Sequence, residues 1–439
     1  MSLVEAAIAA NRFGFGSRPG DLQTIAGDPK GWLKAQIRPP DAPPADQPAT
    51  QAGMAILFAI QTSPDRDTQK QHQQEMFALR DRDRIAHIQS ALSADAPFLE
   101  RLVKFWTNHF TVSYAQTYVS ALAGAYENEA IRPHVTGRFR DMLGAVVHHP
   151  AMLFYLDNAN STGPNSQWGL KAHVGLNENL GRELMELHTL GVDGGYTQDD
   201  VRALATILTG WTPGRAKDPA NTLFAFRPTM HEPGPKTFLG KTYADDGQKE
   251  GEAALDVLAT HPATARHVAT QLARHFIADD PPKAAIDRLA KAFQDSGGDL
   301  AVVSAALIDT PEAWTPQRRK FKSPLEMVVS TQRGLAVDEA DQTTVNSVRR
   351  LGQQIYFAPS PQGWPDQEPD WLAPELVMQR IEWTYQSLPK LTADQSPLPF
   401  AEALLGPTLS DKTKGVLTGA PSQREGIALA LLSPEFQRR

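Results

Sequence analysis

Leu176–Trp211 reads LNENLGRELMELHTLGVDGGYTQDDVRALATILTGW, and its periodicity decides the fold class. Leu180, Leu184 and Leu187 recur at the three-to-four spacing of one helical face, which predicts a helix over about residues 177–190. Gly191 stands where a left-handed cap residue belongs, within the glycine-rich turn Gly191–Tyr196. Thr197 followed by Asp200 is a capping-box pattern that opens a second helix over 198–209. Helix, glycine turn and helix in one stretch point to an α-helical protein.

The same stretch concentrates polar chemistry. With about 100° of turn per residue, Glu178, Arg182 and Glu186 fall at successive i, i+4 positions away from the leucines, with Glu183 nearby. A solvated salt-bridge ladder accounts for such an arc by itself, each rung contributing about 0.3–0.5 kcal/mol. His188 differs, because it falls inside the apolar arc. A second histidine repeats that placement: in Phe98–Phe110 (FLERLVKFWTNHF), Phe98, Leu102, Phe105 and His109 share one face. A buried imidazole needs hydrogen-bond partners, so two of them on apolar faces predict a polar pocket between helices.

Helical periodicity also marks residues 68–93, 97–110, 136–148, 262–277 and 323–335, among others. The clear β signal is Thr222–Arg227 and Lys236–Tyr243, which flank a Pro/Gly loop and predict a hairpin. The expected architecture is therefore mainly α, multi-helical, with a small β-hairpin insertion around residues 222–243. The insertion (216–248) would separate an N-terminal helical half (1–215) from a C-terminal one (249–439), packed together as one unit. A Pro-rich stretch at 39–48 reads as an exposed connection.

Composition narrows the chemistry. The 439 residues carry a net charge of −7, which gives no basic surface for nucleic acid. No stretch has the apolar length of a membrane span. The start of the chain, MSLVEAAIAANRFGFG, shows no basic leader, so the expected compartment is the cytoplasm, with export alongside a partner left open. Cysteine is absent, which removes disulfides and thiolate chemistry and leaves His and carboxylates as the ligands for any metal.

Several motifs fail on inspection. Gly234–Thr242 resembles a phosphate-binding loop, but five residues separate its glycines where four are required, and no helix pattern follows. There is no Glu-x-x-His, no His-Glu-x-x-His and no Gly-x-Ser-x-Gly. His231 and Lys236 flank the predicted hairpin loop. Gly363-Trp-Pro-Asp366, with Trp371 nearby, reads as an anchored loop that could line an aromatic pocket.

Ten segments together make the chain resemble the bacterial family catalogued as domain of unknown function 1800. They include NRFGFGSRPGD at Asn11, FWTNHFTVS at Phe105, the opening stretch from Asn177, HEPGPKTFLGK at His231, HPATARHVATQLARHF at His261, KFKSPLE at Lys320 and GQQIYFAPSPQGWPD at Gly352. The likeness runs nearly the full length. Gly181 departs from it, standing where the family commonly shows alanine. The family has no established activity. Its members are often encoded beside phosphatase- or sulfatase-like proteins, so the resemblance implies such a protein as a partner.

Two functional expectations follow. The first is an enzyme, a hydrolase or an oxidoreductase, with a cleft lined by His109, Glu178, Arg182, Glu183, Glu186, His188 and His231. Glu183 or Glu186 would be the base, Arg182 would hold an anionic group, and His109 with His188 would transfer protons or bind a divalent metal. The small-molecule substrate is not specified. The second is a non-catalytic helical partner or assembly factor, in which His109 and His188 are hydrogen-bonded core residues and an exposed apolar patch docks the partner.

Overall fold

The computed structural model describes residues 2–40, 49–214, 223–391 and 396–439. Most of the Pro-rich connection expected at 39–48 lies outside them. The described chain is mainly helical, with two small two-stranded sheets. None of its helices is long and apolar enough to cross a membrane.

The 177–190 helix takes an unexpected form. Asn179–Glu183 is α-helical, and Leu184–His188 continues as a π-helical turn. The wider turn closes on Gly191 (φ +82°), whose N–H reaches Met185 O at 3.0 Å. The next helix, Gln198–Ile207, starts at the predicted Thr197–Asp200 capping box, with both reciprocal bonds present. These two helices pack very closely at Gly181: a Cβ there would sit 2.9 Å from Ala205 N. The glycine weakens its own helix slightly but lets the neighbouring backbone approach.

The β region corrects the expected pairing. Phe224–Phe226 pairs antiparallel with Trp211–Pro213, not with the 236–243 segment. Lys236–Phe238 instead folds back on Lys241–Tyr243. The reason is local: Leu239 (φ +48°) and Gly240 (φ +71°) form a two-residue turn with both φ positive, the geometry that closes a tight hairpin. The segment read as one strand is thus a hairpin by itself.

A continuous apolar cluster runs from Ala6 to Trp383 and includes residues before, within and after the sheets. A smaller cluster joins Leu335 to Phe400, Leu404, Leu417, Leu431 and Phe436. Within the large cluster, the Pro97–His109 helix is buried almost all round. Its Glu100, Arg101 and Lys104 are buried too, so each must be paired. They form the walls of the cavities described next.

Candidate functional site

His109 and His188 do come together, with ring centroids 6.1 Å apart. The π turn explains how. It ends with the Leu187 and His188 carbonyls beyond the reach of further helical N–H donors. His267 Nε2 donates to Leu187 O at 2.8 Å, and His109 Nε2 donates to His188 O at 3.1 Å. Two imidazoles from two other helices thus cap adjacent carbonyls, their rings 6.0 Å apart. Each gives its Nε2–H to a carbonyl, so Nδ1 is the nitrogen left to accept a proton. Burial holds both below the ordinary histidine pKa, well below for His109, whose neighbours His267 and His188 add to the effect. Both are therefore neutral at pH 7.

His188 itself is fully buried, and neither of its ring nitrogens has a hydrogen-bond partner among the described residues. Burial, with His267 nearby, pushes its pKa down to about 3. It packs on Phe110, with ring centroids 5.2 Å apart.

His109 and His267 line a cavity of about 510 Å³ with Thr107, Arg274, Tyr356 and Trp364. One wall is the Gly363–Asp366 loop. Asn108 holds it in both directions: its amide donates to Trp364 O (2.9 Å) and its Oδ1 accepts Trp364 N–H (2.8 Å). Gly363 (φ +85°) lies so close to Asn108 that a Cβ would meet Asn108 O at 2.6 Å. Trp364 Nε1 and Thr107 Oγ1 are buried without hydrogen-bond partners among the described residues. Arg274 makes no ion pair among the described residues, its Nε offering only a 3.4 Å contact to Asp279 O.

The wall continues into a buried ionic lattice, whose Arg101, His275, Glu326 and Asp366 also line the cavity. His275 Nδ1 and Asp366 Oδ2 are 2.9 Å apart, and Arg101 Nη1 is 3.3 Å from His275 Nε2. Arg101 also pairs with Glu326, which Arg439 Nε meets at 2.6 Å. Lys320 reaches Asp279 at 2.5 Å and the Asp366 carbonyl. Burial pushes His275 down to about 4. Burial also opposes the charge on Glu326, but Arg439 and Arg101 outweigh it and hold the carboxyl far below its usual range. Both His275 nitrogens are engaged, so the pair with Asp366 positions the loop.

A second cavity, also about 510 Å³, shares His87 and Tyr356 with the first. Glu127 anchors the partition, meeting Lys104 Nζ at 2.7 Å, His87 Nδ1 at 2.7 Å and Tyr356 Oη at 3.0 Å. Tyr356 adopts a left-handed backbone (φ +55°), a strained conformation for an aromatic residue. Asp83, on the second cavity, is pushed up to about 7 by burial.

The remaining expected site residues lie elsewhere. Arg182 bridges Glu178 (2.8 Å) and Glu186 (3.4 Å), and Arg202 adds to Glu178 at 3.3 Å. Glu178, Arg182 and Glu186 are 29–34% exposed, a salt-bridge ladder that does not line the first cavity. Burial raises the Glu183 pKa, and the Glu186 charge adds to it. His231 is buried against Glu250 and Lys236. Of the seven, only His109 lines the first cavity.

A family model described as "Protein of unknown function (DUF1800)" matches residues 8–438. The chain belongs to the DUF1800 family. No curated protein and no solved structure matches it. Six of the DUF1800-like segments meet at the cavity: they supply Phe15, then Thr107 and His109, then Leu187, then His267 and Arg274, then Glu326, then Tyr356 and Trp364. His267 and Arg274 were missed by the sequence reading. The available signal was the spacing of His267, Gln271 and Arg274 at i, i+4, i+7, a polar stripe on one helix face.

Proposed function

We propose that this DUF1800 chain is an enzyme, a hydrolase, that binds a small anionic molecule in the His109/His267 cavity and uses those two histidines for proton transfer. The observation that carries this reading is the locking of both imidazoles on the adjacent Leu187 and His188 carbonyls. The lock fixes which nitrogen accepts a proton, and burial, by disfavouring the charged ring, keeps both imidazoles neutral and weaker bases than a solvated histidine. Arg274, which lacks a carboxylate partner among the described residues, supplies the charge for an anion, and Trp364 Nε1–H and Thr107 Oγ–H supply directed donors. The His275–Asp366 pair holds the wall.

The test is a panel of p-nitrophenyl phosphate, sulfate and carboxylic esters assayed with wild type, His109→Ala and Arg274→Met. One substrate class should be turned over by wild type and lost in His109→Ala, with a raised KM in Arg274→Met. An unchanged rate in His109→Ala would sink the assignment.

A second reading, a helical partner of a phosphatase- or sulfatase-like protein, is supported by Phe58 and Phe77, which stand 42% and 50% exposed on the helices Thr50–Thr62 and Arg66–Leu92. Replacing both by serine should abolish such a complex without altering the fold.

A further inference from the structure

The segment from His231 to Glu250 folds back on itself and lines neither cavity. Gly234 (φ +88°), Gly240 (φ +71°) and Gly247 (φ +61°) make its turns. The folding brings one ligand atom each from His231, Asp245 and Glu250 within 4.8 Å of one another.

The local hydrogen bonds orient this group. His231 Nδ1 donates to the Thr209 carbonyl at 2.9 Å, which leaves Nε2 as the lone-pair nitrogen. A backbone carbonyl behind the ring is the support that metal-binding imidazoles usually have. Nε2 then lies 3.0 Å from Glu250 Oε1. Two lone-pair atoms at that distance repel unless a cation lies between them. A metal bound at about 2.0–2.2 Å by nitrogen and oxygen in tetrahedral geometry would hold its ligands at about 3.3–3.5 Å, close to this separation.

The cation now there is an ammonium. Lys236 Nζ is 3.0 Å from His231 Nε2, 3.1 Å from Glu250 Oε1 and 3.0 Å from Glu250 Oε2. The last contact is an ion pair without alignment: Oε2, on a side chain only 1% exposed, receives no directed donor among the described residues. Asp245 is exposed and holds Gly234 N–H at 2.8 Å through Oδ2, so its other oxygen is open to a solvent-borne ion.

We propose that His231, Glu250 and Asp245 form a binding site for one divalent transition-metal ion of the zinc type, for which the Lys236 ammonium is the competing occupant. One imidazole and two carboxylates suit such an ion. Binding moves the Lys236 head out, and the exposed Asp245 loop is the route of entry. The site is independent of the proton-transfer reading of the His109/His267 cavity.

The probe is Co²⁺, followed by its visible absorption and by equilibrium dialysis with the full chain. Wild type should bind one equivalent, Asp245→Asn about tenfold more weakly, and Lys236→Met about tenfold more tightly, each tenfold step being about 1.4 kcal/mol. Asp245→Asn keeps an oxygen for Gly234 N–H, so its fold is preserved and its result stands even if Lys236→Met unfolds without metal. A second readout is the melting temperature of Lys236→Met, which Co²⁺ should raise, an effect lost on adding His231→Ala. No one-to-one Co²⁺ binding by wild type, or equal affinity in Asp245→Asn, would overturn the site.

Discussion

Replacing His188 with leucine should stabilise the protein or leave it unchanged, although His188 sits in the most chemically loaded stretch of the sequence. The side chain is fully buried and neither ring nitrogen has a hydrogen-bond partner among the described residues. A buried polar group left without a partner costs about 1–3 kcal/mol. Leucine removes that cost at similar volume and keeps the packing on Phe110. The expected gain at pH 7 is about 1–3 kcal/mol, read as the urea midpoint and slope, with His188→Met as a control for shape. The pH dependence carries a second signature. Folding lowers the His188 pKa from its ordinary 6.5 to about 3. The neutral ring's contribution is therefore fully present above the unfolded value and is lost as pH falls towards the folded one. At about 1.4 kcal/mol per pH unit, the wild type should lose roughly 3–5 kcal/mol more than His188→Leu across that acid range. A destabilisation above about 2 kcal/mol at pH 7, or an unchanged acid slope, would refute the reasoning and show that the imidazole has a bound partner.

Gly191→Ala should cost about 1–3 kcal/mol in a denaturation experiment. The position needs positive φ, and its Cβ would sit 2.8 Å from His267 Nδ1. Glu326→Gln should cost about 3–5 kcal/mol, because it leaves Arg101 and Arg439 buried without their shared carboxylate. The folded Glu326 pKa lies below its unfolded 4.5, so its contribution is present above pH 4.5 and lost as pH falls below it. The variant's stability should accordingly be flatter than wild type in that acid range.

Much of the helical fold was legible because the periodicity and caps are local. The Thr197–Asp200 box and the Gly191 cap sit where their residue types predict. The strand pairing was not, because Leu239 adopts a positive φ that residue type does not announce. The site was legible in part. His109 and His188 on apolar faces foretold a meeting of imidazoles, but a strict 3.6-residue period hid the π turn whose carbonyls hold His109 and His267. The carboxylate arc of Glu178, Arg182 and Glu186 looked reactive and formed the ladder that i, i+4 spacing favours. The lattice of Arg101, Glu326, Asp366 and Arg439 joins residues hundreds of positions apart, and no local pattern encodes such pairs.

The central claim is that His109 and His267 present Nδ1 as the basic nitrogen beside an anion-binding Arg274. Long-range ¹H–¹⁵N spectra of histidine-labelled protein test it directly, with His109→Gln and His267→Gln for assignment and inorganic phosphate as the probe. The prediction is that both rings are neutral Nε2–H tautomers at pH 7 and above. Phosphate should shift their Nδ1 signals in wild type but not in Arg274→Met. Nδ1–H tautomers, ordinary histidine titration, or Nδ1 signals indifferent to phosphate in wild type would contradict the account.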